Sequence, residues 1–88
     1  RDQEISRQDL ATIMYRYVKQ KGKGFSGSWM FLLSYVDKDD ISEYAYEPIC
    51  WLSMNEIING KGENKFEPFG LATRAEVATL IMRLSQKI

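Results

Sequence analysis

Histidine is absent from this 88-residue chain, and cysteine occurs once. With a single cysteine, no internal disulfide is possible. Cys50 sits in an apolar stretch beside Trp51 and Leu52 and reads as a small buried hydrophobe. A nucleophilic role would need a histidine or a similar base, and no histidine exists to serve. An excess of charge of one sign is also missing, because twelve basic and twelve acidic residues cancel. Without a basic field, neither nucleic acid nor an anionic membrane surface is an expected partner. Long hydrophobic runs are lacking: the longest, Trp29 to Leu33, is far too short to span a bilayer. No signal peptide is visible, and the chain opens on a charged Arg1, as an excised fragment would. What remains is 44% hydrophobic and 27% charged, enough for one small globular domain with a modest core.

Two stretches of that domain are near-copies. Ile5-Ser6-Arg7-Gln8-Asp9-Leu10-Ala11-Thr12-Ile13-Met14-Tyr15-Arg16 aligns with Ala72-Thr73-Arg74-Ala75-Glu76-Val77-Ala78-Thr79-Leu80-Ile81-Met82-Arg83, 67 positions later. Arg7/Arg74, Ala11/Ala78, Thr12/Thr79 and Arg16/Arg83 are identical. A repeated unit usually needs neighbours to bury its apolar face. Thr73 with Glu76 makes a capping box, in which hydroxyl and carboxylate each bond the other's backbone N–H; Ser6 with Asp9 resembles one. Behind the boxes, Leu10, Ile13, Met14, Tyr17 and Val18 form one helical stripe, and Val77, Leu80, Ile81, Leu84 and Ile88 another. Helices are expected at about 7–20 and 74–86. The first should stop at Lys21-Gly22-Lys23-Gly24.

Between them, Phe25 to Gly27 reads as a loop with an aromatic anchor and Trp29 to Tyr35 as a short helical turn. Asp37-Lys38-Asp39-Asp40 is a polar turn. Ser42 can cap a helix carrying Ala45, Ile49, Leu52 and Met54, with its regular part at about 45–55, because Pro48 is tolerated only near a helix start. Asn59 to Lys65 is a turn-rich loop, and Phe66 and Pro68 tie its far end down. The fold class expected is all-α, with long ordered loops.

Four constellations could carry chemistry. Arg7 and Arg74 each fall at a first helical position, beside backbone N–H groups unpaired within the helix and the positive end of its dipole. That favours an anion such as a carboxylate or phosphate. A solvated or salt-bridged arginine is the alternative that spacing leaves open. Asp37, Asp39, Asp40 and Glu43 suggest calcium, but an EF-hand counted from Asp37 would meet Ser42 at its sixth position and Pro48 at its twelfth, so a polar turn leading into a helix is preferred. Gly60 and Gly62 lack the Lys-Ser/Thr of a phosphate loop; they permit a tight turn or the close approach of a ligand. Tyr44 could stack on a sugar ring or pack, and Trp51 belongs to the core. No cofactor is implied.

These residues resemble the S-layer homology (SLH) domain family. Thr73-Arg74-Ala75-Glu76 matches its signature, Tyr35-Val36-Asp37 its aromatic-x-Asp opening, and Tyr44-Ala45 its usual Trp-Ala. Ile57-Ile58-Asn59-Gly60 is similar to its Gly-Ile-Ile-x-Gly, and Phe66-Glu67-Pro68 to its Phe-x-Pro; Trp51 and the long 25–40 connection look like the variant common in clostridial surface proteins. The resemblance divides the chain into the closing helix of a preceding repeat, 1–21, and one complete repeat, 22–88. Departures are Asn55-Glu56 in place of a small-residue turn, Tyr44 in place of tryptophan, and Ser-Arg-Gln-Asp in the first copy.

The resemblance implies a non-catalytic module that anchors secreted proteins on the bacterial cell surface. Its implied ligand is an acidic, often pyruvylated, secondary cell-wall polysaccharide, bound between neighbouring repeats. Carried over, the glycan-binding residues are Arg7 and Arg74, with Tyr44, Asp37 and Gly60 beside them. Implied partners are the polysaccharide and neighbouring repeats or a second copy of the chain. The alternative is a surface assembly module without glycan binding, in which the exposed stripes of incomplete repeats pair between chains.

Overall fold

In the computed structural model, residues 4–60 and 62–88 are described; Arg1, with which the chain opens, and Lys61 of the glycine loop lie outside them. Three α-helices follow in order: α1 (Arg7–Gln20), α2 (Glu43–Met54) and α3 (Arg74–Lys87). Among the described residues, extended pairing is limited to single bridges, such as the antiparallel one between Ser6 and Leu71. The all-α expectation holds.

Local chemistry explains the helix ends. At α3 the capping box is complete: Glu76 N–H donates to Thr73 Oγ1 at 3.0 Å, and Thr73 N–H donates to Glu76 Oε1 at 2.9 Å. At α1 half of a box forms, with Asp9 N–H donating to Ser6 Oγ at 3.2 Å. The C-terminus of α1 closes on Gly22 at φ +78°. There Lys23 N–H bonds the Val18 carbonyl and Gly22 N–H bonds that of Lys19, a double closure that needs left-handed backbone. Helix α2 starts earlier than 45. Ser42 precedes it without a side-chain cap bond, and Gln8 of α1 grips it instead. The Gln8 amide donates to Ser42 Oγ and accepts from Ser42 N–H, both at 2.9 Å. Pro48 therefore lies a full turn inside the helix, where it removes only the donor that Tyr44's carbonyl would use.

Helices α1 and α2 pack together, and the 28–36 and 57–66 segments close the core around them. Ala11, Val18, Ala45, Ile49, Leu52, Ile57 and Phe66 have no exposed surface. The face that α1 buries is Leu10, Ala11, Met14, Tyr15 and Val18, whereas Ile13 and Tyr17 of the expected stripe are half exposed. In α3 only Leu80 and Leu84 of the expected stripe are buried, and Ile81 is exposed. Cys50 is buried as expected, its thiol pushed up to about 11 by burial.

The expected helical turn at Trp29 to Tyr35 does not form, and the segment has no regular secondary structure. Leu33 and Tyr35 point inward while Leu32, Ser34 and Val36 face solvent, an alternation that only extended backbone provides. The Phe25 and Trp29 rings stack at 4.0 Å. Tyr15 anchors this connection by accepting from Phe25 N–H at 2.9 Å while donating to Glu47 at 2.6 Å. Burial and that bond to Glu47 push the phenol up to about 12.

Candidate functional site

The start of α1 is closed by the chain itself. Arg7 N–H donates to the Gly70 carbonyl at 2.8 Å and Gln8 N–H to that of Pro68 at 3.1 Å. With Asp9 N–H held by Ser6, the first-turn N–H groups of α1 are occupied, so an anion at this helix start would have to be met by side chains. The 66–72 segment reaches them because Phe66 is fully buried and Ala72 N–H continues the bridge to the Ile5 carbonyl at 2.9 Å.

The Arg7 side chain, 4% exposed, turns inward. Its Nε donates to the Phe66 carbonyl at 2.6 Å, its Nη2 to the Asn59 carbonyl at 3.2 Å, and its Nη1 to Glu76 Oε2. The guanidinium also lies 4.8 Å from the centre of the Phe66 ring. Glu76 thus caps α3 with one oxygen and takes Arg7 with the other, which ties the two copies of the repeated motif together.

This junction walls a cavity of about 320 Å³. Its lining joins Arg7 to Asn59 and Gly60 of the glycine loop and to Glu76, Thr79 and Arg83 of α3. Gly60 is needed for packing: a Cβ there would stand 3.0 Å from both the Lys65 carbonyl and the buried Tyr35 ring. Arg83 is partly exposed and donates from Nη1 to the Ile57 carbonyl at 3.3 Å. Two guanidinium groups therefore meet one carboxylate in this cavity, an arrangement suited to an added anion.

Of the five residues expected at a site, Arg7 and Gly60 come together here. Tyr44 lines a separate groove with Glu4, Ile5, Asp9, Thr12, Ile13 and Arg16. Its hydroxyl donates to Asp9 Oδ1 at 2.5 Å, and that bond raises its pKa. Asp37 lies on a third surface beside Lys65 and Phe69. Its carboxylate accepts from the N–H groups of Phe66 and Glu67, each at 2.9 Å. Burial raises the Asp37 pKa, but the Phe66 and Glu67 bonds, aided by Lys65, outweigh it and leave a net lowering. Arg74 stands exposed at the first position of α3 and lines none of these three cavities.

Sequence reasoning did not single out Asn59, Thr79 and Arg83 as site residues. The signal for the last two was present, since Thr12/Thr79 and Arg16/Arg83 are identical between the copies. The spacing Glu76, Thr79, Arg83 puts all three on one helical face.

Comparison with known proteins places this sequence in a family. A relative from Acetivibrio thermocellus, exoglucanase XynX, is 41% identical over 54 residues, which is 61% of this chain. The chain spans 5% of that relative's length. No solved structure matches. The family model described as S-layer homology domain matches residues 34–78, from the extended segment through α2 and the glycine loop into α3. Modules of this kind are non-catalytic and anchor proteins to the cell wall and S-layer. The chain belongs to the S-layer homology domain family.

Proposed function

We propose that this module anchors its parent protein outside the cell by binding an acidic secondary cell-wall polysaccharide, with the acidic group seated in the Arg7–Gly60–α3 cavity. The observation that carries the reading is the charge of that cavity, two arginines against one glutamate. A pyruvate ketal would supply the single carboxylate such a site suits. Tyr44 and Arg74 are exposed, where further sugar units of a long glycan would pass. Asp37 contributes by holding the 66–67 turn that carries Phe66 beneath Arg7.

The test is retention of the purified chain on cell-wall fragments of Acetivibrio thermocellus, native or with their carboxyl groups amidated by carbodiimide and methylamine. Retention on native walls that is lost on amidated walls is expected. Equal retention on both would sink the acidic-ligand reading.

A second reading, assembly with a neighbouring repeat, has its own support. Ala11, Met14 and Tyr15 of α1 are buried, and their counterparts Ala78, Ile81 and Met82 of α3 are exposed. Helix α2 covers that face of α1, so a like helix from a neighbouring repeat, or from a second copy of the chain, would cover it on α3. Light scattering separates the readings for the chain alone, since a strict monomer at high concentration excludes self-assembly.

A further inference from the structure

The two cavities built on the repeated helices differ in sign, and the difference assigns the ligand's partner. Glu76, Thr79, Leu80 and Arg83 line the cavity on α3; their counterparts Asp9, Thr12, Ile13 and Arg16 line the groove on α1. The same four helix positions thus wall both. On α3 the remaining wall brings Arg7, so two arginines meet one carboxylate. On α1 it brings Glu4 and Tyr44, so two carboxylates meet one arginine. An acidic group is drawn to the first and repelled by the second.

Within the α3 cavity the two arginines are not equivalent. Each of the three guanidinium nitrogens of Arg7 already donates, one of them to Glu76, and the side chain is almost wholly buried. Its charge is matched inside the protein. Arg83 makes one long bond through Nη1 to a backbone carbonyl and is partly exposed, on the same cavity wall as Thr79. A planar carboxylate needs two adjacent N–H groups, and a guanidinium with five donors, anchored at one nitrogen, retains such a pair.

Resting on the acidic-glycan reading above, we propose that Arg83 contacts the acidic group of the wall polysaccharide, and that the chain carries one such site, on α3, and none at the equivalent groove on α1. Arg83→Gln tests the charge, because it keeps the stem and a polar amide where the Arg83 Nε stands while removing the guanidinium head. Binding isotherms on native Acetivibrio thermocellus walls should show at least about tenfold weaker binding for Arg83→Gln, which loses the pair of charge-assisted hydrogen bonds. On amidated walls Arg83→Gln and wild type should match. Arg83→Lys, which keeps the charge, should recover part of the loss, and Arg16→Gln, the repeat counterpart, should bind native walls as wild type does.

Arg83→Gln binding as tightly as wild type would overturn the assignment while leaving the function reading intact. So would a tenfold loss in Arg16→Gln. A loss in Arg83→Gln that Arg83→Lys does not rescue, with a lowered melting temperature in both, would assign Arg83 to the fold and overturn the proposal. Wild type that ignores amidation would remove the function reading and this inference with it.

Discussion

Replacing Arg7 by alanine should cripple the fold, whereas the same change at Arg74 should hardly touch it. The two residues are identical in the repeat, so the contrast isolates environment. Arg7→Ala deletes three hydrogen bonds and a cation–π contact from a side chain that is 4% exposed. Breaking a buried ion pair from one side costs about 3–5 kcal/mol, because the other charge is stranded. Here Glu76 keeps its bond from Thr73 N–H and its side chain is 20% exposed, so the cost falls toward the lower end of that range. The Phe66 and Asn59 carbonyls lose their donors at about 1 kcal/mol each. A net loss of about 3–4 kcal/mol results. Native domains of this size hold only about 4–13 kcal/mol in total. The melting temperature should fall by about 15–25 °C. Arg74 is exposed, and the interactions of an exposed arginine contribute only about 0–1 kcal/mol. Thermal denaturation followed by circular dichroism at 222 nm, with a urea titration of each variant, measures both. An Arg7→Ala melting temperature within about 5 °C of wild type would refute the view that Arg7 braces α1 to α3.

Three further outcomes follow from the same contacts. Thr73→Ala removes the hydroxyl half of the capping box and should cost about 1 kcal/mol in urea denaturation. Gly60→Ala forces a Cβ against the Lys65 carbonyl and the Tyr35 ring; it should cost about 1–3 kcal/mol by the same assay, as overpacking does. Asp37 has its pKa lowered from 3.8 on folding, so its stabilising contribution is full above that value and is lost as pH falls through the lower folded value. An Asp37→Asn variant should therefore lose stability at neutral pH and show a flatter dependence of melting temperature below pH 4.

The helices were legible in the sequence because their start signals are local. Thr73 and Glu76 predict each other's bonds, and Gly22 predicts its own left-handed turn. Which face each helix buries was only half legible. Ile13 and Tyr17 fit the stripe as well as Ala11 and Tyr15 do, and α2, far along the chain, decides between them. The 29–35 segment has the apolar density of a helix, but its burial alternates because it lies extended across the core. For the site, the repeat pointed to Arg7 and Arg74 as equals. Their difference comes from Phe66, Asn59 and Glu76, residues 52 or more positions from Arg7 that no local pattern links to it. Arg83 was visible as a repeated identity, but it drew no attention because a mid-helix arginine has an ordinary reason to be there.

The most direct test of the central claim is to map the ligand onto the chain. Uniformly ¹⁵N-labelled protein would be titrated with soluble acidic fragments of wall polysaccharide, and amide and arginine side-chain resonances followed. Shifts concentrated at Asn59, Gly60, Thr79 and Arg83, and absent with amidated fragments, are the predicted result. Shifts centred on Thr12 and Arg16 in place of Thr79 and Arg83, or equal shifts with native and amidated fragments, would contradict it.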